Sequence, residues 1–255
     1  MVSENLLTCI PASIQRRMSS WLSCIFHLNI SRYLIKPYCW LHYGDSNFYK
    51  KYLPGSGKPR YTSFHDFFIR DFQKLPQINS DSIWPCEGYL CQVSRASELQ
   101  KIVVKGRSFR IHEIFGISEN DIFGNLFFLN VFLHNHNYHH IHSPVSGKIT
   151  RIQRVPGRLL VLRPWLYPDK PSVPAFTNER LNLDILDTNE KVWRLSLIGG
   201  PLVGKIKADK KTCVGSVVHI SEKIATFEQG STCCILGPIS PSAKVGEQVK
   251  VGDPI

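Results

Sequence analysis

Short apolar segments, separated by glycine and proline, follow one another along the chain from about Ile83 onward. Segments of this length are typical of strands, and regular turn signals between them favour antiparallel pairing, so the sequence predicts a β-rich body. The tail at 244–253, with its two Val-Gly pairs, predicts a hairpin. The predicted strands lie at 126–133, 148–152, 159–162, 181–186, 192–198, 202–206, 214–220 and 232–236.

The N-terminal part of the chain has a different character. Residues 18–31 carry no charge over 14 positions, with Arg16 and Arg17 before them and Arg32 and Lys36 after them. A helix needs about 20 apolar residues to span a bilayer, so this segment is too short to cross one. Two interpretations stay open: a helix lying in a membrane interface with basic flanks, or an amphipathic helix buried in the domain.

A loop and a short helix are predicted to connect this region to the body. The loop is at 55–59, where the sequence reads Gly-Ser-Gly-Lys-Pro. The helix is at 63–71, with Ser63 as its N-cap and with Phe64, Phe67 and Phe68 on one face.

Composition limits the class of protein and its partners. The 255 residues, 43% hydrophobic and 20% charged, suit one sizeable core, or a core plus a small appendage, and exclude a disordered chain. The net charge of +11 predicts an anionic partner. No zinc-finger, RNP or basic-zipper pattern is present, so an anionic lipid surface is favoured over nucleic acid. The eight cysteines form no Cys-x-x-Cys pair, which predicts reduced thiols.

Five histidines lie within residues 134–142. On a straight strand, His134, His136, His140 and His142 would share one face and His139 would lie opposite. Alternate histidines on one face suggest a metal site. The proline and glycine that follow indicate a bend, which would instead bring His139 and His142 into one site. Both interpretations stay open on the residues alone.

A candidate nucleophile lies near the C-terminus, in Gly230-Ser231-Thr232. Glycine before Ser231 removes a side chain from the adjacent carbonyl and permits a strained backbone. A hydroxyl, a histidine and a carboxylate are the groups that activate a serine, and His142 and Glu87 could supply the other two. Taken singly, the tripeptide is typical of a solvated loop and Glu87 of an exposed turn.

A series of short segments, in this order, resembles the phosphatidylserine decarboxylases. The resemblance covers most of the sequence, and no single segment is specific for the family. The N-terminal segment, 61–70, reads Tyr-Thr-Ser-Phe-His-Asp-Phe-Phe-Ile-Arg, and the last, 227–232, reads Phe-Glu-Gln-Gly-Ser-Thr. Between them lie 84–88, 104–106, 114–116, 138–144, 178–180 and 199–206.

The resemblance implies an α+β fold in which N-terminal membrane-associating helices, residues 1–58, precede a mostly antiparallel β-rich catalytic body, residues 59–255. It implies a carboxy-lyase that converts phosphatidylserine to phosphatidylethanolamine at the cytoplasmic face of the cell membrane. The enzyme would be peripheral to that membrane and homodimeric. It would need no metal and no free cofactor, because the family makes a covalent pyruvoyl group from its own chain.

The resemblance also implies roles for individual residues. The chain would be cut between Gly230 and Ser231, giving a long chain 1–230 and a short chain 231–255 that begins with a pyruvoyl group derived from Ser231. His142, held by Glu87, would take the Ser231 hydroxyl proton, and His139 would supply a proton after CO2 leaves. The family has aspartate at position 87; the extra methylene of Glu87 moves the carboxylate by roughly 1–1.5 Å.

Three other hypotheses stay open at this stage. The same fold and cleavage could serve a soluble substrate such as an aromatic amino acid. The departure at Glu87 motivates an uncleaved pseudoenzyme that binds lipid. The histidine cluster motivates a metalloprotein, in which His134, His136 and His140 would be ligands rather than structural residues.

Overall fold

The computed structural model describes residues 12–98, 102–104, 107–122, 124–167, 172–200, 206–228 and 231–255. The chain begins with helical elements and two short strands. These are helix α1 (Ala12–His27), a 3-10 helix (Asn29–Leu34), helix α2 (Ile35–Tyr43), a second 3-10 helix (Phe48–Lys51), strand β1 (Tyr52–Leu53), helix α3 (Phe64–Phe68) and strand β2 (Asp71–Phe72).

Local chemistry accounts for the ends of these helices. Helix α2 ends at Gly44, which takes the left-handed conformation (φ 67°) that glycine adopts without strain. Helix α3 begins at Ser63, whose Oγ accepts a hydrogen bond from the Asp66 amide at 3.2 Å, so the predicted N-cap is confirmed. The helix ends at Phe68, earlier than predicted, because Asp71 is extended and pairs with Leu53 in the β1–β2 sheet.

An aromatic cluster joins the N-terminal helices to the body. Ile35, Cys39, Phe64 and Phe67 form its buried centre, and the Ser31 hydroxyl accepts a hydrogen bond from the Phe64 amide at 2.8 Å. The opposite side of the helices is apolar and exposed, with large side chains at Trp21, Leu28, Ile30, Tyr33, Trp40 and Leu41. Within the described parts of the chain, no helix combines the length and the apolar character needed to cross a membrane.

The body is built around an antiparallel sheet of eight strands, in the order β12-β8-β9-β10-β14-β6-β3-β15. Its strands are β3 (Gly88–Arg95), β6 (Phe127–Leu133), β8 (Gly147–Val155), β9 (Arg180–Asp187), β10 (Val192–Gly199), β12 (Val217–Val218), β14 (Ser231–Gly237) and β15 (Gln248–Val249). A second, three-stranded sheet has the order β11-β13-β7, formed by β11 (Ile206–Ala208), β13 (Lys223–Phe227) and β7 (His140–His142).

The remaining elements are small. A two-stranded sheet pairs β4 (Ile102–Val104) with β5 (Arg107–Phe109). Helices α4 (Ile111–Phe115) and α5 (Val173–Thr177) and 3-10 helices Glu119–Asp121 and Pro164–Leu166 complete the described elements. The mostly antiparallel α+β body predicted from the sequence is confirmed.

Both faces of the large sheet are buried. One face packs against the three-stranded sheet, and this core includes Leu129, Leu183 and Leu197 from one side and Ile141 and Phe227 from the other. The opposite face is covered by α4 and α5, with a core that contains Phe115, Phe128, Phe176, Ile198 and Leu236. Burial on both sides explains why its central strands read as nearly continuous apolar runs.

Two predicted elements are absent, and one lies partly outside the described residues. Residues 159–162 form no strand; they pack as a loop in which the Leu160 amide and carbonyl bond Asn178. The tail forms no hairpin, because β15 pairs with the edge of β3 at Gly88 and Tyr89. Of the two open interpretations of the histidines, the straight strand is wrong, since residues 134–139 form a turn between β6 and β7. Of the predicted strand 202–206, only Ile206 is described.

Candidate active site

Ser231 begins the central strand β14, with β6 on one side and β10 on the other. It lies opposite Leu133 of β6 and opposite Gly199 of β10. The residue is fully buried, and its hydroxyl has no hydrogen-bond partner among the described residues. A buried polar group normally has a partner, so this unpaired hydroxyl marks Ser231 as a candidate reactive group. Gly230, predicted to supply the attacked carbonyl, lies outside the described residues.

His139 lies in the turn between β6 and β7, beside the segment that leads to Ser231. Its carbonyl accepts a hydrogen bond from the amide of Phe227, four residues before the serine. The ring is fully buried, packs 4.1 Å from the ring of Phe68, and places Nδ1 2.8 Å from the Asn137 carbonyl. Because a carbonyl oxygen only accepts, Nδ1 carries the proton and Nε2 carries the lone pair.

Like the Ser231 hydroxyl, the Nε2 atom of His139 is an unpaired polar atom among the described residues. It is buried and has no hydrogen-bond partner within the described chain. Burial, and next the positive charge of Arg70, lower the pKa of His139 to about 3. The imidazole is therefore neutral at physiological pH, with a basic nitrogen that no described group occupies.

His142 lies at the end of β7 and is engaged at both ring nitrogens. Nδ1 is 2.6 Å from the Ser221 carbonyl, and Nε2 is 3.1 Å from the Tyr138 hydroxyl. Its amide donates to the Pro85 carbonyl at 2.8 Å, which fixes the strand beside the Pro85-Cys86-Glu87-Gly88 segment. Burial lowers the pKa of this imidazole below its ordinary value, so it too is a neutral base near pH 7.

The expected contact between Glu87 and His142 is not formed. Glu87 Oε1 instead accepts a hydrogen bond from Asn137 Nδ2 at 2.8 Å. The physical reason is that Ser221 and Tyr138 already satisfy both ring nitrogens of His142. Glu87 is therefore linked to the other histidine, His139, only through Asn137, whose carbonyl accepts from the His139 ring.

Arg70 is the last residue of the segment 61–70, and the sequence alone gave it no role. In the fold it is a buried cation. It is 1% exposed and its Nη2 donates to the carbonyls of His136 (2.7 Å) and Asn137 (3.1 Å). Its guanidinium lies over the rings of Tyr52 and Phe67, at 4.8 and 5.0 Å. Arg70 and His139 thus share the Asn137 carbonyl as acceptor, which explains how Arg70 affects the His139 pKa.

Comparison with known proteins decides the family. A model of the phosphatidylserine decarboxylase family matches residues 64–255, which include Glu87, His139, His142 and Ser231. The chain belongs to the phosphatidylserine decarboxylase family. Its members are carboxy-lyases, and the match begins at the first residue of α3 and extends through the whole β-rich body.

Individual relatives carry the name phosphatidylserine decarboxylase proenzyme. The relative from Psychrobacter cryohalolentis is 30% identical over 194 residues, covering 70% of this chain and 69% of the relative. The relative from Xylella fastidiosa is 32% identical over 199 residues, covering 70% of this chain and 67% of the relative. The relative from Delftia acidovorans is 26% identical over 208 residues, covering 74% and 72%.

The Asn178-Glu179-Arg180 segment of this decarboxylase family member is a buried polar clamp. Asn178 is fully buried; its Nδ2 donates to the carbonyls of Leu160 and Gly199, and its Oδ1 accepts from the Leu160 amide. Arg180 donates to the carbonyls of Glu113 and Ile114, which end helix α4. Since Gly199 is the strand partner of Ser231, Asn178 fixes the backbone directly beside the candidate nucleophile.

The other three histidines of the cluster at 134–142 are held by contacts with neighbouring groups. His134 and His136 stack on each other at 5.1 Å, and His140 bonds Thr226 Oγ1 and the Ile69 carbonyl. Across the described ranges, no group of three or more His, Cys, Asp or Glu side chains has the arrangement of a metal site. The seven described cysteines form no disulfide with one another.

Proposed function

We propose that this chain decarboxylates phosphatidylserine to phosphatidylethanolamine with a pyruvoyl group that it makes from Ser231. The observation that carries the proposal is the buried, unpaired hydroxyl of Ser231 at the start of β14. It lies within the matched family region and next to a chain segment bonded to His139. A serine in this setting has no structural partner to satisfy, which suits a group that is consumed by its own chemistry.

Self-cleavage begins with the serine. His142 acts as the base that removes the hydroxyl proton, and Ser231 Oγ attacks the Gly230 carbonyl carbon. The amide C–N bond breaks as the C–O bond forms, so the backbone is converted to an ester with a free amine at residue 231. Removal of the Cα proton then expels the Gly230 carboxylate, and hydrolysis releases ammonia. Chains 1–230 and 231–255 result, the second with a pyruvoyl end.

His139 has a separate role in the decarboxylation itself. When present, a pyruvoyl carbonyl supplies the electron sink that an amino acid needs to lose CO2. The chain must then return a proton to the carbon that has lost CO2. We assign this to His139, while Asn137, Glu87 and Arg70 fix the orientation of the ring. Its Nε2 is unprotonated in the uncleaved chain, so it must first take up a proton, which the negative charge of the bound substrate would favour, and then deliver that proton to carbon.

We also propose peripheral binding to the cytoplasmic face of the cell membrane, with the N-terminal segment, residues 1–58, as the attachment. The net charge of +11 suits an anionic surface. On the described helices, Trp21, Tyr33 and Trp40 are exposed aromatic side chains, and Arg17 and Arg32 are exposed cations. Aromatic and basic groups together are typical of interfacial attachment. The family resemblance further supports a homodimer.

The test is decarboxylation of phosphatidylserine in vesicles, followed as CO2 release and as phosphatidylethanolamine formed. The purified wild-type protein is expected to convert the lipid, and Ser231→Ala to show no conversion. The same preparation is offered free serine and aromatic amino acids. Conversion of a soluble amino acid but not of the lipid would replace the substrate in this proposal. No conversion of any substrate by self-cleaved protein would reject the decarboxylase.

A further inference from the structure

The ring of His142 is hydrogen-bonded to a turn whose backbone is strained at Ser221. Its Nδ1 donates to the carbonyl of Ser221 at 2.6 Å, and Ser221 is a non-glycine residue with a positive φ of 67°. Ser143 holds this turn, since its carbonyl accepts from the Ser221 amide and its amide donates to the Glu222 carbonyl. Backbone strain of this kind persists where the surrounding structure enforces it, often beside a functional group.

Tyr138 occupies the other side of the His142 ring. The phenol is 1% exposed, its ring stacks on Phe72 at 4.1 Å, and its hydroxyl is 3.1 Å from Nε2. Because Nδ1 carries the proton of the neutral imidazole, Nε2 accepts and the Tyr138 hydroxyl donates. The basic nitrogen of His142 therefore already holds a hydrogen bond, and that bond must be released before Nε2 can take a proton.

Asp71 is placed beside Tyr138 by its neighbours in the fold. It directly precedes Phe72, whose ring stacks on Tyr138, and its carboxylate contacts His140, whose ring is 5.0 Å from the Tyr138 ring. Burial first, and then the Asp71 carboxylate through its charge and a side-chain hydrogen bond, raise the pKa of Tyr138 above its ordinary value. The carboxylate is held by Lys223 Nζ at 2.8 and 3.0 Å and lies 3.3 Å from His140 Nε2. Asp71 also raises the pKa of His142, whereas Lys223 lowers it.

We propose that Asp71, acting through the Tyr138 hydroxyl, is the carboxylate that positions His142 for self-cleavage. This inference rests on the proposed self-processing function, and it gives Asp71 the task that the family resemblance implies for Glu87. Both Asp71 and Tyr138 are positioning residues, because they act on the reacting serine through His142. Glu87 serves the other histidine, since it bonds Asn137 and Asn137 holds His139.

The chain of groups Asp71–Tyr138–His142, called the relay below, accommodates both protonation states of His142. In the neutral state, the Tyr138 hydroxyl donates to Nε2. When Nε2 takes the Ser231 proton, both ring nitrogens become donors, so the hydroxyl must turn its own proton elsewhere and accept from Nε2–H. Asp71, whose carboxylate is held by Lys223 Nζ, accepts the hydrogen bond from the turned hydroxyl. Tyr138 keeps its proton throughout, and the only net transfer is from Ser231 to His142.

The first arm of the test measures the titration of His142 by NMR in histidine-labelled, uncleaved Ser231→Ala protein. A His142→Gln variant assigns the signal. The titratable and charged groups that act on His142 are Asp71, Lys223, His140 and Tyr138. Asp71→Asn should lower the midpoint by about 0.5 pH unit or more, and Lys223→Met should raise it by a similar amount.

These opposite signs separate the relay from loss of structure, because general loosening would move both variants in the same direction. Glu87→Gln is the matched control and should leave the His142 midpoint unchanged within about 0.2 pH unit. A larger shift with Glu87→Gln than with Asp71→Asn would overturn the proposal. Equal midpoints in wild type and Asp71→Asn would also overturn it.

The second arm follows the rate at which newly synthesised chain splits, in a cell-free reaction sampled over time at several pH values. Tyr138→Phe keeps the ring and removes the relay, so splitting should slow by about 10- to 100-fold. A Tyr138→Phe rate within twofold of wild type would overturn the proposal, and this variant carries the test if Asp71→Asn fails to fold. Wild-type chain that never splits rejects self-processing, while the NMR arm still tests the relay.

Discussion

Replacing Asn178 with alanine tests whether the polar clamp beside Ser231 holds the fold as the structure indicates. The side chain makes three hydrogen bonds in a fully buried position, at 2.7 Å to the Gly199 carbonyl and at 2.9 and 3.1 Å to Leu160. Each contributes about 1 kcal/mol net, so their loss should lower the free energy of unfolding by about 3 kcal/mol. That corresponds to an unfolding equilibrium constant on the order of 100-fold larger.

The assay is urea unfolding followed by tryptophan fluorescence, with both variants made on the Ser231→Ala background so that one uncut chain unfolds. Asn189→Ala is the matched control, because Asn189 lies in an exposed turn and the same substitution there should change stability by less than about 0.5 kcal/mol. A loss below about 1 kcal/mol for Asn178→Ala, or equal losses for both variants, would show that the three hydrogen bonds of Asn178 contribute little to stability.

Three further predictions concern the histidines. His142→Gln should slow chain splitting by at least about 100-fold, whereas His139→Gln should leave splitting intact and lower decarboxylation by at least about 100-fold. The pKa of His139 falls from 6.5 to about 3 in the fold, so its contribution to the free energy of unfolding is complete above pH 6.5 and is lost as the pH falls toward 3. Between pH 7 and 5 this lowers the free energy of unfolding by about 2 kcal/mol. In urea unfolding, His139→Gln should abolish that part of the pH dependence. Dialysis against EDTA should change neither splitting nor activity, because the proposed chemistry uses a group made from Ser231 and no metal.

Each of these three predictions has a result that would contradict it. Splitting that depends on His139 rather than His142 would exchange the two roles. Unfolding free energies that change equally with pH in wild type and His139→Gln would show that the ring is not buried and neutral. Stoichiometric zinc or iron in the purified protein, with activity lost on its removal, would restore the metal hypothesis for the histidine cluster.

The central strands could be predicted from the sequence because their apolar runs are local signals. Strands β6, β9, β10 and β14 coincide with predicted segments within one residue at each end, since burial on both faces leaves little room for polar residues. The N-cap at Ser63 is equally local, because its partner Asp66 is three residues away. These features need no knowledge of the tertiary structure.

The errors arise where distant segments meet. The tail reads as a hairpin, yet β15 pairs with the free edge of β3, about 160 positions earlier in the chain. The apolar segment 159–162 packs as a loop. The Asn178 side chain makes the hydrogen bonds to its backbone that a neighbouring strand would make in a sheet. The periodicity of apolar residues cannot predict these outcomes, since each depends on contacts with distant segments that the local sequence does not encode.

The same limit applies to the candidate site. Ser231, His139 and His142 could be proposed from motifs, but the partner of each ring depends on geometry. Glu87 bonds Asn137 across 50 positions, and the Arg70 guanidinium reaches the Asn137 carbonyl across 67. A carboxylate near a histidine in a motif therefore predicts membership of the site, whereas the hydrogen-bond partners follow only from the fold.

The most direct test of the central claim is the intact mass of the purified protein under denaturing conditions, with Ser231→Ala as control. Self-cleavage at Ser231 should give two chains, 1–230 and 231–255, the shorter one lighter by one ammonia than a chain that begins with serine. Ser231→Ala should give a single uncut chain. A single unmodified wild-type chain of 255 residues, identical in behaviour to the control, would contradict the account and leave a lipid-binding pseudoenzyme as the better explanation.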